Sequence, residues 1–153
     1  MSHRAIDLWV NVNMGAGIPP EYLQRVKEDY FKGGDDFFRS LTVDETLEQM
    51  DEAGVEKAVL ATGVRRPEES VLEFCRARPD RFALAAYVRP TKGMKELWAL
   101  EDLLADHPVV MARVVPFDFD VPPSDAIYYP LYAKCAELDL PLSVNTGLPG
   151  PPV

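Results

Sequence analysis

The chain has 153 residues, of which 47% are hydrophobic and 27% charged, with a formal net charge of -9. That length suits one domain with a real core. A surface this acidic repels phosphate backbones and anionic lipid, which argues against nucleic acid and membrane surfaces as partners.

No apolar run approaches the roughly 20 residues needed to span a bilayer. The N-terminus, MSHRAIDLW, lacks the apolar core of a signal peptide. Cys75 and Cys135 stand alone, with no C-x-x-C. Each reads as a small core residue of a helix in a reducing compartment, and the expected location is cytoplasmic.

The first predicted strand is 5–12. Alternation puts Ile6, Leu8, Val10 and Val12 on one face and Asp7, Trp9, Asn11 and Asn13 on the other. After Gly15 comes an excursion longer than the roughly 2–6 residues of a usual βα loop. It holds a helix opened by Pro19-Pro20, running to about residue 30, and broken at Gly33-Gly34. Thr42 and Glu45 form a predicted capping box. That helix runs to Ala53, and Gly54 supplies a left-handed C-terminal position. Strand 2 is 57–62; its continuous apolar run fits a sheet covered on both faces.

The same plan then repeats. Pro67 opens a helix to about residue 78, with Val71, Leu72 and Cys75 on one stripe. Strand 3 is 82–88. A helix over 94–106 turns Leu97, Leu100, Leu103 and Leu104 inward. Strand 4 is 109–115. A loop with Asp118 and Asp120 leads to a helix over 125–138, with Ser124 and Asp125 as capping residues. Strand 5 is 141–145, followed by GLPGPPV.

Five strands alternating with helices predict an α/β fold with a parallel sheet. Right-handed crossovers then gather the strand C-termini on one face, where α/β sites form. Residues expected there are Trp9, Asn11, Asn13, Thr62, Arg89, Arg113, Asp118, Asp120, Asn145 and Thr146. Two architectures fit: a complete flavodoxin-like sheet, or the first five strands of a (β/α)₈ barrel, which needs about 250 residues. The chain stops directly after strand 5, leaving an uncovered strand. The expectation is therefore one domain over 1–153, an incomplete barrel whose other half is missing or supplied by a partner chain, including a homo-oligomer.

Several runs together resemble the amidohydrolase-related family, in the branch that includes aminocarboxymuconate-semialdehyde decarboxylase. They are Ile6-Asp7, the GV-x-KAVL entry at Gly54 to Leu60, Pro79 to Ala85 around Arg81-Phe82, Val110 to Pro116, and LPLSVNTGLPGPP at Leu140 to Pro152. The resemblance covers essentially the whole chain. It implies a metal-dependent-hydrolase-like TIM barrel about twice this length. It also implies a strand 1 of the form I-D-x-H-x-H and a strand 5 ending H-T-G, whose imidazoles serve a divalent metal, usually zinc.

Here those three positions are Trp9, Asn11 and Asn145. Tryptophan ligates no metal, and an amide oxygen is a weak, hard ligand. His3 precedes strand 1, and His107 falls in the turn before strand 4, at the end of a barrel that serves stability. The expectation is no metal ligand in this stretch; zinc or another divalent metal would need ligands from the missing strands. Asn11, Asn145 and Arg113 are the candidate catalytic residues. Trp9, Asn13, Arg89 and Thr146 are the candidate substrate-binding residues. Arg113, within an apolar strand, fits a two-pronged carboxylate clamp or an ion pair with Asp7 or a loop aspartate.

Other signals carry less. Asp118 and Asp120 suit a general base or metal ligand, but caps and solvated loops hold such residues more often. MGAGIPP opens like a phosphate loop, but Pro20 replaces its third glycine. Arg89 at the end of strand 3, where a phospho-receiver domain carries aspartate, argues against that fold. Tyr128, Tyr129 and Tyr132 read as packing or oligomer contacts. The expected activity is that of a hydrolase or decarboxylase (a carboxy-lyase) acting on a small organic acid; the alternative is a non-catalytic barrel with a binding or regulatory role.

Overall fold

In a computed structural model of the chain, residues 4–12 and 21–146 are described. Five strands, β1 (Ala5–Val10), β2 (Val55–Gly63), β3 (Phe82–Tyr87), β4 (Val109–Val114) and β5 (Leu142–Val144), form one sheet in the order β1-β2-β3-β4-β5. Every adjacent pair is parallel. Between them run α2 (Val43–Ala53), α3 (Glu69–Ala77), α4 (Met94–Asp106) and α5 (Tyr129–Glu137), while α1 (Glu21–Arg25) belongs to the excursion after β1. The sheet curls into half of a barrel, with β1 and β5 as its open edges.

Local chemistry sets the boundaries. Thr42 Oγ1 accepts from the Glu45 amide at 3.2 Å, and Glu45 Oε2 accepts from the Thr42 amide at 2.9 Å. This closes the predicted capping box of α2, and Gly54 ends the helix at φ 71°. The Asp125 carboxylate accepts from the Ile127 amide at 2.9 Å, capping a 3₁₀ turn (Ala126–Tyr128) that leads into α5. In the excursion α1 continues as a π-helix (Val26–Phe31) that stops at Lys32, φ 53°. The Leu41 amide donates to the Val12 carbonyl at 3.2 Å, so the excursion returns to the end of β1.

The helix side of the sheet carries the core. One cluster joins Leu60, Leu84, Met50, Leu72 and Phe74 beneath α2 and α3. A second joins Val88, Val114, Leu100, Leu131 and Tyr128 beneath α4 and α5. Phe74 meets Phe82 edge to face at 5.3 Å. Cys75 and Cys135 are buried and free, as read from the sequence. Tyr128 is buried, donates to the Val121 carbonyl at 3.0 Å and stacks on Tyr132, whereas Tyr129 is exposed.

Two expectations fail at the sheet. Strict alternation in β1 does not hold: Asp7 pairs with Ala58 and Val10 with Leu60, so β1 spends three residues where β2 spends two. This bulge puts Asp7 and Val10 on the same side, that of the helix-facing Ala58 and Leu60. Ile6 and Leu8 are 59% and 52% exposed, as befits a strand with one paired edge. Thr62, expected at the mouth, instead faces the helix layer, where its Oγ1 accepts from the Glu68 amide at 3.0 Å.

Candidate functional site

The inner face of the half-barrel is read along its register. Gly63 of β2 aligns with Tyr87 of β3, Tyr87 with Arg113 of β4, and Arg113 with Ser143 of β5. Aligned residues of neighbouring strands share a face, so this row lies on the concave side, one layer below the mouth. Ala86, Ala112 and Leu142, one position earlier, point to the helices instead.

Arg113 is the centre of the row. It is 2% exposed. Its Nη2 donates to the Leu8 carbonyl of β1 at 2.5 Å and lies 3.8 Å from Met111 Sδ. Its guanidinium sits 4.0 Å from the centroid of the Trp9 ring. Nε and Nη1 are buried without a hydrogen-bond partner. Burial pushes the guanidinium pKa below its ordinary value, though an arginine keeps its charge in proteins. Among the described residues no carboxylate pairs with it. The ion pair with Asp7 foreseen as one alternative does not form. Asp7 Oδ1 instead accepts from the Trp9 amide at 2.9 Å, bridging the bulge that turns Trp9 inward.

On the β3 side, Tyr87 donates to Asp118 Oδ2 at 2.7 Å. Burial, then this bond, raises the phenol pKa well above its ordinary range, so Tyr87 remains a proton donor. Phe119 stacks on the Tyr87 ring at 6.3 Å, and the Arg89 guanidinium lies 5.5 Å from it. Asp118 thus anchors a side chain of the inner face and does not stand free. Arg89 is exposed at the rim.

On the β5 side, the Asn145 amide donates to the Val114 carbonyl at 3.0 Å. Half-buried Asn145 and exposed Thr146 line a cavity of about 370 Å³ with Phe117 and Asp120, and Asp120 adopts φ 54°.

The structure therefore brings Trp9 and Arg113 into contact, places Asn145 with Thr146, and sets Arg89 on Tyr87. Asn11 is exposed just past β1. Asn13 and the MGAGIPP run lie outside the described residues, as does His3. His107 caps the C-terminal end of α4 and precedes β4, away from the mouth. Tyr87 and Ser143 of the inner row were missed as site residues. Tyr87 could have been found, since it follows Ala83 and Ala85 at strand parity and is the first large polar group on that face.

Among the described residues no group of three or more histidine, cysteine, aspartate or glutamate side chains is placed to hold a metal ion. None of their helices is long and apolar enough to cross a membrane.

The sequence model described as amidohydrolase matches residues 6–153. No curated protein matches the chain. Among solved structures, a 2,6-dihydroxybenzoate decarboxylase in complex with 2,6-dihydroxybenzoate is 21% identical, with a TM-score of 0.62 over 96% of this chain and 51% of that one. The 5-carboxyvanillate decarboxylase of Novosphingobium aromaticivorans, with manganese and 4-hydroxy-3-methoxy-5-nitrobenzoic acid, is 15% identical, with a TM-score of 0.66 over 95% of this chain and 50% of that one. A dihydroxybenzoic acid decarboxylase from a Polaromonas species, with manganese and 2-nitroresorcinol, is 19% identical, with a TM-score of 0.58 over 96% and 50%. The chain spans about half the length of these structures. At such identities the likeness concerns the fold, and the shared fold is the (β/α) barrel expected from the sequence.

Proposed function

This chain belongs to the amidohydrolase family, and from that premise we propose that it forms the first half of a barrel that decarboxylates a small aromatic carboxylic acid. The observation that carries the reading is Arg113, a buried cation with two unpartnered N–H-bearing nitrogens on the concave face. A buried donor without a partner costs about 1–3 kcal/mol, which a ligand carboxylate would recover. The solved structures with similar folds are decarboxylases of hydroxylated benzoates, which supports the same ligand class here. Trp9 covers Arg113, so its ring has to shift for a carboxylate to reach the guanidinium.

In this reading Arg113 holds the carboxylate, and the Trp9 indole stacks on the aromatic ring. Asn145, with Asn11, donates hydrogen bonds to ring substituents, while Thr146 and Arg89 line the rim; Asn13 is kept as a substrate-binding residue on the sequence alone. The remaining strands come from sequence beyond this chain or from a partner chain, including a second copy. The setting is cytoplasmic and reducing, in keeping with two free buried thiols.

The metal of the manganese-bound structures does not fit the groups that this chain supplies. An indole replaces the first strand-1 imidazole of the family pattern, and a guanidinium stands over that indole, where it would repel a second cation. A divalent metal would need its ligands from strands outside this stretch, so no step is assigned to it. A second reading, a barrel that binds without catalysis, is favoured by the same contact, since Trp9 already fills the space over Arg113.

The test is carbon dioxide release from 2,6-dihydroxybenzoate and related hydroxybenzoates by the full protein and its Arg113→Met variant. Turnover lost in the variant supports the proposal. Turnover unaffected by the substitution sinks the role of Arg113, and binding without turnover moves the reading to the non-catalytic barrel.

A further inference from the structure

The arginines divide by position. Arg4, Arg25, Arg39, Arg76, Arg78 and Arg81 each meet a carboxylate at 3.3 Å or less. The remaining four, Arg65, Arg66, Arg89 and Arg113, meet none among the described residues, and all lie in or just after β2, β3 and β4. In a chain with 25 acidic residues against 16 basic ones, that separation runs against the surplus of carboxylates available to pair.

Arg113 belongs to the site described above. The other three converge, with Lys92, on a cleft of about 450 Å³ over the ends of β2 and β3, floored by Gly63 and Tyr87. Lys92 also has no carboxylate partner there. Glu68 and Glu96 also line the cleft, so four cations meet two carboxylates there; Glu96 Oε2 accepts from the Arg89 backbone amide at 3.1 Å and not from a guanidinium. Arg89 is held on the Tyr87 ring, 5.5 Å from its centroid, and Tyr87 is fixed by Asp118. One cation is therefore pre-positioned, and three more stand around it. The cations outnumber the carboxylates of the cleft two to one, and a bound oxyanion offsets the excess positive charge.

We infer that this cleft is a binding site for an oxyanion group, a carboxylate or a phosphate, separate from Arg113 and on the far side of Tyr87 from it. The inference rests on the proposed function only for where the rest of the ligand lies. Guanidinium groups suit both anions, since each presents paired oxygens to the planar fork. A ligand that reaches both places carries two anionic groups, one on Arg113 and one in the cleft.

The test is calorimetric titration of the full chain with inorganic phosphate and, separately, with malonate. Arg65→Ala/Arg66→Ala removes two exposed groups with no ion-pair partner. Arg25→Ala/Arg76→Ala removes the same charge from two exposed, weakly paired positions. Binding of either anion, weakened about tenfold or more by the first pair and little by the second, is expected. Phosphate alone or malonate alone identifies the ligand group, and either supports the site. Absence of binding by both overturns it, as does equal loss in the two variants, which reports only the general field. In an Arg113→Met background, which removes the carboxylate site described above, phosphate binding and its loss in Arg65→Ala/Arg66→Ala are expected to persist; disappearance of all anion binding there overturns a separate cleft. A failed decarboxylation assay leaves this result standing, so the two readings fail separately.

Discussion

The Arg113 guanidinium lies 4.0 Å from the centroid of the Trp9 ring, although β4 and β1 are separated in the sheet by two strands. The same guanidinium donates to the Leu8 carbonyl. The contact spans the concave face and is possible only because the sheet curls. It joins the residue that interrupts the apolar β4 to an aromatic residue of the bulged β1.

Replacing Arg113 by methionine removes a cation–π contact and one hydrogen bond, but also two unsatisfied buried N–H groups. These effects oppose each other, and a buried charge exchanged for an apolar side chain of similar length is often tolerated. Stability in urea is expected to change by no more than about 1 kcal/mol. A loss above about 3 kcal/mol would make Arg113 a structural strut. Carboxylate binding is expected to fall at least a hundredfold, on the order of the 2–5 kcal/mol of a lost buried charge contact.

Binding of benzoate should move the Trp9 ring, because that ring covers Arg113. In a Trp98→Phe background Trp9 is the sole indole. Its emission is expected to shift on titration with benzoate, and not with benzamide, which lacks the anionic group. A benzoate complex with unchanged emission would place the ligand elsewhere.

Glu45 makes the acid limb of stability partly local. Bonds from the Thr42 amide, then Arg39 and the Thr42 hydroxyl, lower its pKa from 4.5 to about 2. A lowered carboxylate pKa stabilises the fold above the unfolded value and loses that contribution as pH falls from about 4.5 towards 2. Glu45→Gln is expected to flatten stability against pH in that window, measured by urea unfolding at each pH. Thr42→Ala, which removes the cap itself, should cost about 1 kcal/mol at neutral pH.

Cys75 makes the alkaline limb. Burial raises its thiol from 9.0 to about 11. The thiol therefore ionises first in the unfolded chain, and stability declines as pH rises from about 9 towards 11. Cys75→Ala is expected to reduce that decline. Iodoacetamide at pH 8.5 should leave both cysteines of the folded chain unmodified, and rapid labelling of either would contradict their burial.

The sequence by itself determined the repeating units. Thr42, Glu45 and Gly54 fix α2 through bonds within a few residues of one another, and the leucines at 97, 100 and 103 fix the buried stripe of α4. The apolar runs of β2 to β4 imply a parallel sheet covered by helices, and runs along the chain suffice to point to the amidohydrolase family. Tertiary structure decided what the concave face presents. The β1 bulge follows from pairing with β2 and from the Asp7 carboxylate bridging to Trp9, and no alternation pattern reveals an extra residue in a strand. The Tyr87–Arg113 row depends on register between strands far apart in sequence. Whether Arg113 meets a carboxylate, an indole or a backbone carbonyl depends on curvature that brings β1 over β4. Short-range bonds can be read from spacing, whereas the partners of a buried charge are set by the closure of the sheet.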